Sequence, residues 1–494
     1  MMGRERQPQS KLFYTRFNLE RRVRKDHLLR QIDKCIDFDF IYNEVADAYG
    51  TRGNVSVPPP VILKMMLLLI LYNVRSEREL MDTIPERLDW LWFLGYDLDD
   101  DIPDHSVLSK ARKRWGTRGF QSFFENIVIQ CVDAGLVDGT KLFLDSSDIQ
   151  ADASKSSVID TADIKRYLNE SYRQLEHRLE QEDEPDDDDD LTPPKTGKAN
   201  KRFISTTDPD ASVQSKGGGQ SKLQYKVHRA VDEKHEIITA TTVTTASVNE
   251  AHLMKPLLQS HQKTTGLTAD TCVADSKYGI VSNFLKCHDM KVKGHFNSIE
   301  KAHRGRGVRK GILAKEEFVY RRETDTFICP EGKELKRRSF YKKRDHHEHI
   351  APLATCQKCN LFTLCIKSKT GRSIKRHIRQ DELDAMIAQS ETKQARRDLL
   401  KRKHLMERTF ARATRYGFKR ARWRRLWRIR IQELLTATIQ NILVYLRYDK
   451  ERSELAAAAL RVKRAAGNWL LKRDWPKMPI IAPKCIDIYC FCRS

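Results

Sequence analysis

Long apolar stretches are missing from this 494-residue sequence. The longest, Val61–Val74, is interrupted by Lys64 and is shorter than the ~20 residues a membrane-spanning helix needs, so no membrane contact is expected. The first residues, Met-Met-Gly-Arg-Glu-Arg-Gln, are charged and lack the apolar segment of a secretory signal, which predicts a cytoplasmic protein. The eleven cysteines are odd in number, which argues against a disulfide framework and for a reducing compartment. No internal repeat is found. Acidic residues are scarce relative to basic ones: 67 Asp+Glu against 90 Lys+Arg leave a net charge of +23, which points to an acidic partner, most often nucleic acid. The length allows two to four domains, and 40% hydrophobic with 32% charged residues fits a globular chain with a sizeable core.

The excess charge is local. Residues 301–450 hold 40 Lys+Arg and 16 Asp+Glu, and the rest of the chain is nearly neutral. An evenly solvated surface would not concentrate charge in this way, so an electrostatic footprint for phosphates is expected there.

Patterning along the chain predicts five regions. Residues 1–135 read as an all-helical module. Prolines Pro58–Pro60 start a buried helix to Tyr72, Ser76 and Glu79 form a capping box, and Asp104 caps His105–Trp115. Residues 136–296 read as a mixed α/β sheet: strand Lys141–Gln150, a hairpin of Leu223–Val231 and Glu236–Thr244, helix Asn249–Thr264, strand Thr271–Ala274, a helix near Phe284–Cys287 and strand Met290–His295. Residues 153–222, with eight acids among Glu182–Asp190, read as a flexible insertion or linker. Residues 297–395 form a basic Cys-rich insertion, 396–450 are helical again, and 451–494 form a tail.

Three acids stand at suggestive places. Asp145 follows the apolar run Leu142–Leu144, and Asp275 follows Cys272–Ala274. A carboxylate beside a buried strand is costly unless something pairs with it. Asp148 rivals Asp145, but strand alternation places the two on opposite faces. Glu407 is the one acid among thirteen Lys+Arg in residues 401–430. Three carboxylates suit two Mg²⁺ ions, which favour hard oxygen ligands and drive in-line phosphoryl transfer. Singly, Asp145 and Asp275 are more readily explained as turn or cap residues, and Glu407 as a helix salt bridge to Lys403.

The blocks SVPPPVILKMMLLLILYNVRSERELMDTIPERLDWLWFLGYDL, LFLDSSDIQADAS, TDPDASVQSKGGGQSKLQYKVHRAVD, TCVADSKYGIVSN and RKHLMERTFARATRYGFKRARWRRLWRIRIQELLTATIQNI occur in order across residues 40–446. In these the chain resembles DDE transposases of bacterial insertion sequences, in the branch with a Cys-rich insertion before the Glu. The resemblance implies a ribonuclease-H-like α/β catalytic domain and a metal-activated water that cleaves terminal inverted repeats, followed by strand transfer into target DNA. Asp145, Asp275 and Glu407 would hold two Mg²⁺, with Mn²⁺ as a substitute. The implied partner is double-stranded DNA, engaged by a homodimer or larger assembly in the nucleoid. Three positions depart from the family pattern. Lys277 stands one place later than the family's lysine after the second Asp, Thr414 replaces a lysine, and Leu399 replaces a tyrosine. A DNA-binding remnant without catalysis, or a metal-dependent nuclease without strand transfer, are the rival readings.

Phosphate contacts are expected from Arg402, Lys403, Arg408 and Arg412, with Lys226 and Lys277 near the site and Arg422, Arg424 and Arg425 beyond it. Trp423 and Trp427 suit either base stacking or packing, and Lys110, Arg112, Lys113 and Arg114 suit either a DNA groove or a solvated face. Cys329, Cys356, Cys359 and Cys365 suit tetrahedral Zn²⁺, with His346, His347 or His349 as substitute ligands. The rival reading is four unligated thiols.

Overall fold

The computed structural model describes residues 2–3, 18–50, 54–160, 203–214, 220–299, 311–367 and 371–471, the last twenty-one as backbone only. Residues 1–444 form one compact unit and residues 445–494 a second.

Eight helices make the N-terminal part: α1 (Leu19–Arg22), α2 (Leu28–Cys35), α3 (Phe40–Val45), α4 (Pro59–Leu71), α5 (Glu77–Thr83), α6 (Leu88–Leu94), α7 (Ser106–Trp115) and α8 (Arg118–Asp133). Two prolines open α4, where a missing N–H costs nothing, and its residues are buried nearly all round, so it is the axis on which the others pack. Ser76 caps α5 by accepting from the Glu79 N–H at 3.1 Å, while the Glu79 carboxylate reaches back to the Arg75 N–H, one residue before the expected Ser76.

A six-stranded sheet follows, built from β1 (Lys141–Gln150), β4 (Ser212–Gln214), β5 (Lys222–Asp232), β6 (Ile238–Thr245), β7 (Thr271–Val273) and β8 (Lys293–His295). β5 is antiparallel to both β1 and β6, whereas β7 is parallel to β1 and β8 to β7. Leu142 and Leu144 face one side and pack with α9 (Met254–Thr265) and α10 (Val281–Asp289). Phe143 and Asp145 therefore face the other, where α14 (Lys393–Thr414) crosses β1, β7 and β8. α15 (Leu426–Leu471) continues from there, and Thr436–Leu446 is largely buried as expected.

Two expected boundaries shift. The insertion at 153–222 is not wholly irregular: β2 (Val158–Asp160) pairs with β3 (Phe203–Ser205), and β4 joins the main sheet. Between β3 and β5, Asp208 and Asp210 accept from the Arg425 and Leu426 N–H groups at 3.1 and 2.9 Å and so cap the start of α15. The acidic run Glu182–Asp190 lies outside the described residues. In the Cys-rich region, β9 (Val319–Arg321), β10 (Thr326–Ile328), β11 (Glu334–Tyr341), β12 (His346–Ile350) and β13 (Ser373–His377) form a second, antiparallel sheet, with short helices α11 (Leu353–Gln357) and α12 (Phe362–Cys365) beside it. The next helix, α13 (Gln380–Ser390), buries Leu383 and Met386 in the core of the main sheet, so that core resumes before residue 395.

Candidate active site

β1 and β7 are parallel neighbours, paired through Leu142–Cys272 and Phe143–Val273. Asp145 lies two residues beyond the last pair on β1, and Asp275 two residues beyond it on the β7 side. Neighbouring parallel strands thus bring two acids 130 residues apart to one end of the sheet. Asp275 also caps the turn that follows, accepting from the Lys277 N–H at 2.9 Å.

A third carboxylate joins them, and it is Glu250. Ligand oxygens of Asp145, Glu250 and Asp275 all lie within 4.8 Å of one another. Glu250 occupies the short turn after β6, capped by Asn249. Its carboxylate accepts from Lys277 Nζ at 2.6 Å and from the Ser146 hydroxyl, with Lys226 Nζ at 3.8 Å. Burial alone would raise the Glu250 carboxyl, but Lys277, Ser146 and Lys226 together hold it below its ordinary value. Asp145 shifts upward, because its burial outweighs the nearby Arg402 guanidinium and because Asp275 and Glu250 add negative charge. Opposed shifts within a few ångströms are found at functional sites and in structural ion-pair networks alike. Glu250 was missed in the sequence because an acid after Asn249 reads as an ordinary helix-start residue.

Arg402 reaches the cluster from α14, with Nη1 2.9 Å from Asp145 Oδ2. Its helix is fixed one turn earlier by buried Asp398, which accepts from Lys141 Nζ at 3.1 Å and bonds His295 Nδ1 at 2.8 Å. Glu407 is not in the carboxylate cluster. It is exposed on α14 and makes no hydrogen bond or ion pair among the described residues. At 3.6 residues per turn it points about 140° away from Arg402. Lys401, Arg408 and Arg412 mark the flank of α14 that is tied to Glu233 and Glu236, and Glu407 lies about 100–140° around from those three.

Residues 17–114 match a transposase domain (DUF772), and residues 328–446 match a transposase DDE domain. Two separate stretches thus match transposase domains, the second a DDE domain, which supports a DDE transposase of an insertion sequence. No curated protein matches it. The second match takes in β11–β13, α14 and Glu407, whereas β9, Asp145 and Asp275 precede it. No helix of this transposase, among the described residues, is long and apolar enough to cross a membrane.

The expected phosphate-binding residues divide into groups. Lys403 is exposed and Lys277 largely so, whereas Lys226 is buried against Glu250. Arg408 and Arg412 pair with Glu236, the latter at 2.9 Å. Arg424 pairs with Asp152 at 3.3 Å, and Arg425 holds a left-handed backbone (φ 78°) at the start of α15. Arg422 does structural work: it binds the Asn73 side chain and the Val74 carbonyl. Trp423 likewise packs against the N-terminal helices. Its indole donates to Glu77 at 3.0 Å, and its ring lies 4.1 Å from the Arg112 guanidinium. Arg112 is buried and paired with Glu77, so of the four basic residues on α7 it is withdrawn from solvent, while Lys110, Lys113 and Arg114 remain exposed.

Cys329, Cys356, Cys359 and Cys365 line one small cavity of about 30 Å³ with Phe318, Leu335 and Phe362. The Lys333 N–H donates to Cys329 Sγ at 3.2 Å, the kind of backbone support a thiolate needs. Burial raises the Cys365 thiol. Among the described residues, the four sulfurs are not drawn together to within 4.8 Å of one another. His349 instead bonds Asp325 at 3.1 Å, and His346 stacks on Tyr341, so neither histidine faces the thiols.

Proposed function

We propose that this transposase cleaves DNA at the terminal inverted repeats of its element and joins the freed 3′ ends to target DNA, by phosphoryl transfer at a site for two divalent cations. The observation that carries the reading is the meeting of Asp145, within β1, and Asp275, just past the end of the parallel neighbour β7, within 4.8 Å of each other. The sheet supports a ribonuclease-H-like assignment: three antiparallel strands (β6, β5, β1) continue into two parallel ones (β7, β8), with the first acid in the middle of β1. The oxygen-only donor set fits Mg²⁺ or Mn²⁺, whose role when bound is to stabilise charge on the attacking and leaving oxygens. Asp145 and Asp275 would hold the ions, and Glu407, about 140° around α14 from Arg402, would have to turn toward them to complete the site. Arg402 and Lys277 neutralise the acids and are placed to meet phosphates. Arg408, Arg412, Lys403 and Arg424 extend the basic path for DNA, and the exposed basic residues of α7 offer a second contact for the repeat. A Zn²⁺ ion on Cys329, Cys356, Cys359 and Cys365 would hold α11, α12 and the β10–β11 turn together. The assignment to the cytoplasm and nucleoid, and an assembly of two or more copies on DNA, belong to the same reading.

The test is cleavage of duplex DNA bearing the element's own repeats, with Mg²⁺, by wild type, Asp275→Asn and Glu407→Gln. Wild type should cut at the repeat ends, and both variants should bind DNA without cutting. Binding by all three without any cutting would favour a non-catalytic remnant. Cutting without joining to a target plasmid would favour a nuclease.

A further inference from the structure

Glu250 is the most deeply buried of the three gathered carboxylates, its side chain 4% exposed. As a plain structural acid it would need one counter-ion, and buried Lys226 supplies that. It has a second in Lys277, whose side chain is 61% exposed and whose ammonium nevertheless makes the closer contact. Three carboxylates so close repel one another unless cations are shared between them. Here Lys226, Lys277 and Arg402 supply three positive charges, each on a flexible side chain.

Tyr278 gives an independent sign. It is fully buried, its hydroxyl has no hydrogen-bond partner among the described residues, and it lies within the electrostatic reach of Glu250, Asp145 and Asp275. A buried hydroxyl without a partner is destabilising, so its retention beside the acids calls for a reason. Mg²⁺ and Mn²⁺ keep part of their water shell when bound by carboxylates.

Building on the metal site argued above, we propose that Glu250 is a third cation-holding carboxylate of the DNA-free site, and that Lys277 is its placeholder. The Lys277 ammonium occupies Glu250 until a divalent cation arrives. The divalent cation adds two positive charges to a balanced cluster, and the exposed lysine is the one free to leave, toward a DNA phosphate. The exchange moves no proton and breaks no covalent bond.

The test is Mn²⁺ binding to the full-length protein without DNA, followed by the electron paramagnetic resonance of free Mn²⁺, for wild type, Glu250→Gln, Lys277→Met and Asp145→Asn. Glu250→Gln should weaken binding about tenfold or more, as losses around metal ligands do. Lys277→Met should tighten it severalfold, since the competing ammonium is gone. Asp145→Asn should bind poorly. Wild-type affinity in Glu250→Gln beside a loss in Asp145→Asn would overturn the role of Glu250 and leave the metal site standing. Unchanged or weaker binding in Lys277→Met would overturn the placeholder role. Failure of wild type to bind Mn²⁺ would remove the metal site and this proposal with it. Melting curves of the metal-free variants identify a folding defect, in which case Lys277→Met, altered at an exposed side chain, decides the question.

Discussion

Arg229 offers the sharpest test of how the site is held. It is fully buried on β5, directly across from Asp145 on β1, so the two share a face of the sheet. Its Nε and Nη2 donate to both oxygens of Glu433 at 2.7 and 2.9 Å, and Nη1 donates to Gln440 at 2.8 Å. The Thr241 hydroxyl donates to the same carboxylate at 2.8 Å. Phe410 of α14 and Phe418 lie 4.9 and 5.0 Å from the guanidinium. One side chain therefore joins the central strands to both long helices. Arg229→Met leaves Glu433 ionised, buried and short of its main partner, which costs about 3–5 kcal/mol. The lost ring contacts add about 1 kcal/mol. Replacing both partners, Arg229→Met with Glu433→Leu, removes the stranded charge and should recover most of the loss. Urea unfolding of wild type, the two single variants and the double variant gives the coupling directly. A loss below 1 kcal/mol in Arg229→Met, or additive losses in the double variant, would refute the reasoning.

Further outcomes follow from other parts of the molecule. A Cβ at Gly279 would stand 1.9 Å from the Asn297 carbonyl oxygen, a clash with backbone, so Gly279→Ala should lower the melting temperature by several degrees and weaken Mn²⁺ binding through the adjoining Asp275 turn. His228 is fully buried, bonded to Thr244 at 2.9 Å, and burial together with Lys226 depresses its pKa to about 3. The unfolded chain therefore takes up a proton near pH 6.5 that the folded chain refuses. Stability is full above that pH and should fall by roughly 1.4 kcal/mol per unit as pH drops toward 3, a slope that His228→Gln should reduce in urea titrations at pH 5. Purified protein should carry one zinc per chain, lost from Cys356→Ser and Cys359→Ser, and unchanged zinc content in either would exclude the four-cysteine site.

Local pattern made some of this legible and long-range pairing hid the rest. β1 could be read because an apolar run ends in an acid, and Asp145 and Asp275 could be paired because each closes such a run. The helical N-terminal module was legible from proline starts and the Ser76 cap. The β9–β13 sheet was not: its strands are three to eight residues long and rich in charge, with a bulge after Arg337 that breaks alternation. Arg229 and Glu433 are 204 residues apart, and no local spacing announces a pair that only the assembled sheet brings together. Trp423 sits within a basic run that leaves base stacking and packing both open, and the partner that ties it to the helices, Glu77, lies 346 residues away. Glu407 illustrates the converse. Its isolation among basic residues singles it out in the sequence, whereas the fold gathers Asp145 and Asp275 around Glu250.

The ties between the N-terminal helices and the loop before α15 bear on where a strand would be cut. Arg422 holds Asn73 and Val74, and Trp423 with Arg112 and Glu77 makes a second lock a few ångströms away. That loop begins where α14 ends, and α14 delivers Arg402 to Asp145. A repeat gripped by the exposed basic residues of α7 would thus sit at a set distance from the carboxylates, measured along one rigid helix. On the proposed function the molecule would work as a gauge: the spacing between the recognised bases and the severed bond would belong to the protein, and lengthening the DNA between them would carry the cut away from the end of the element.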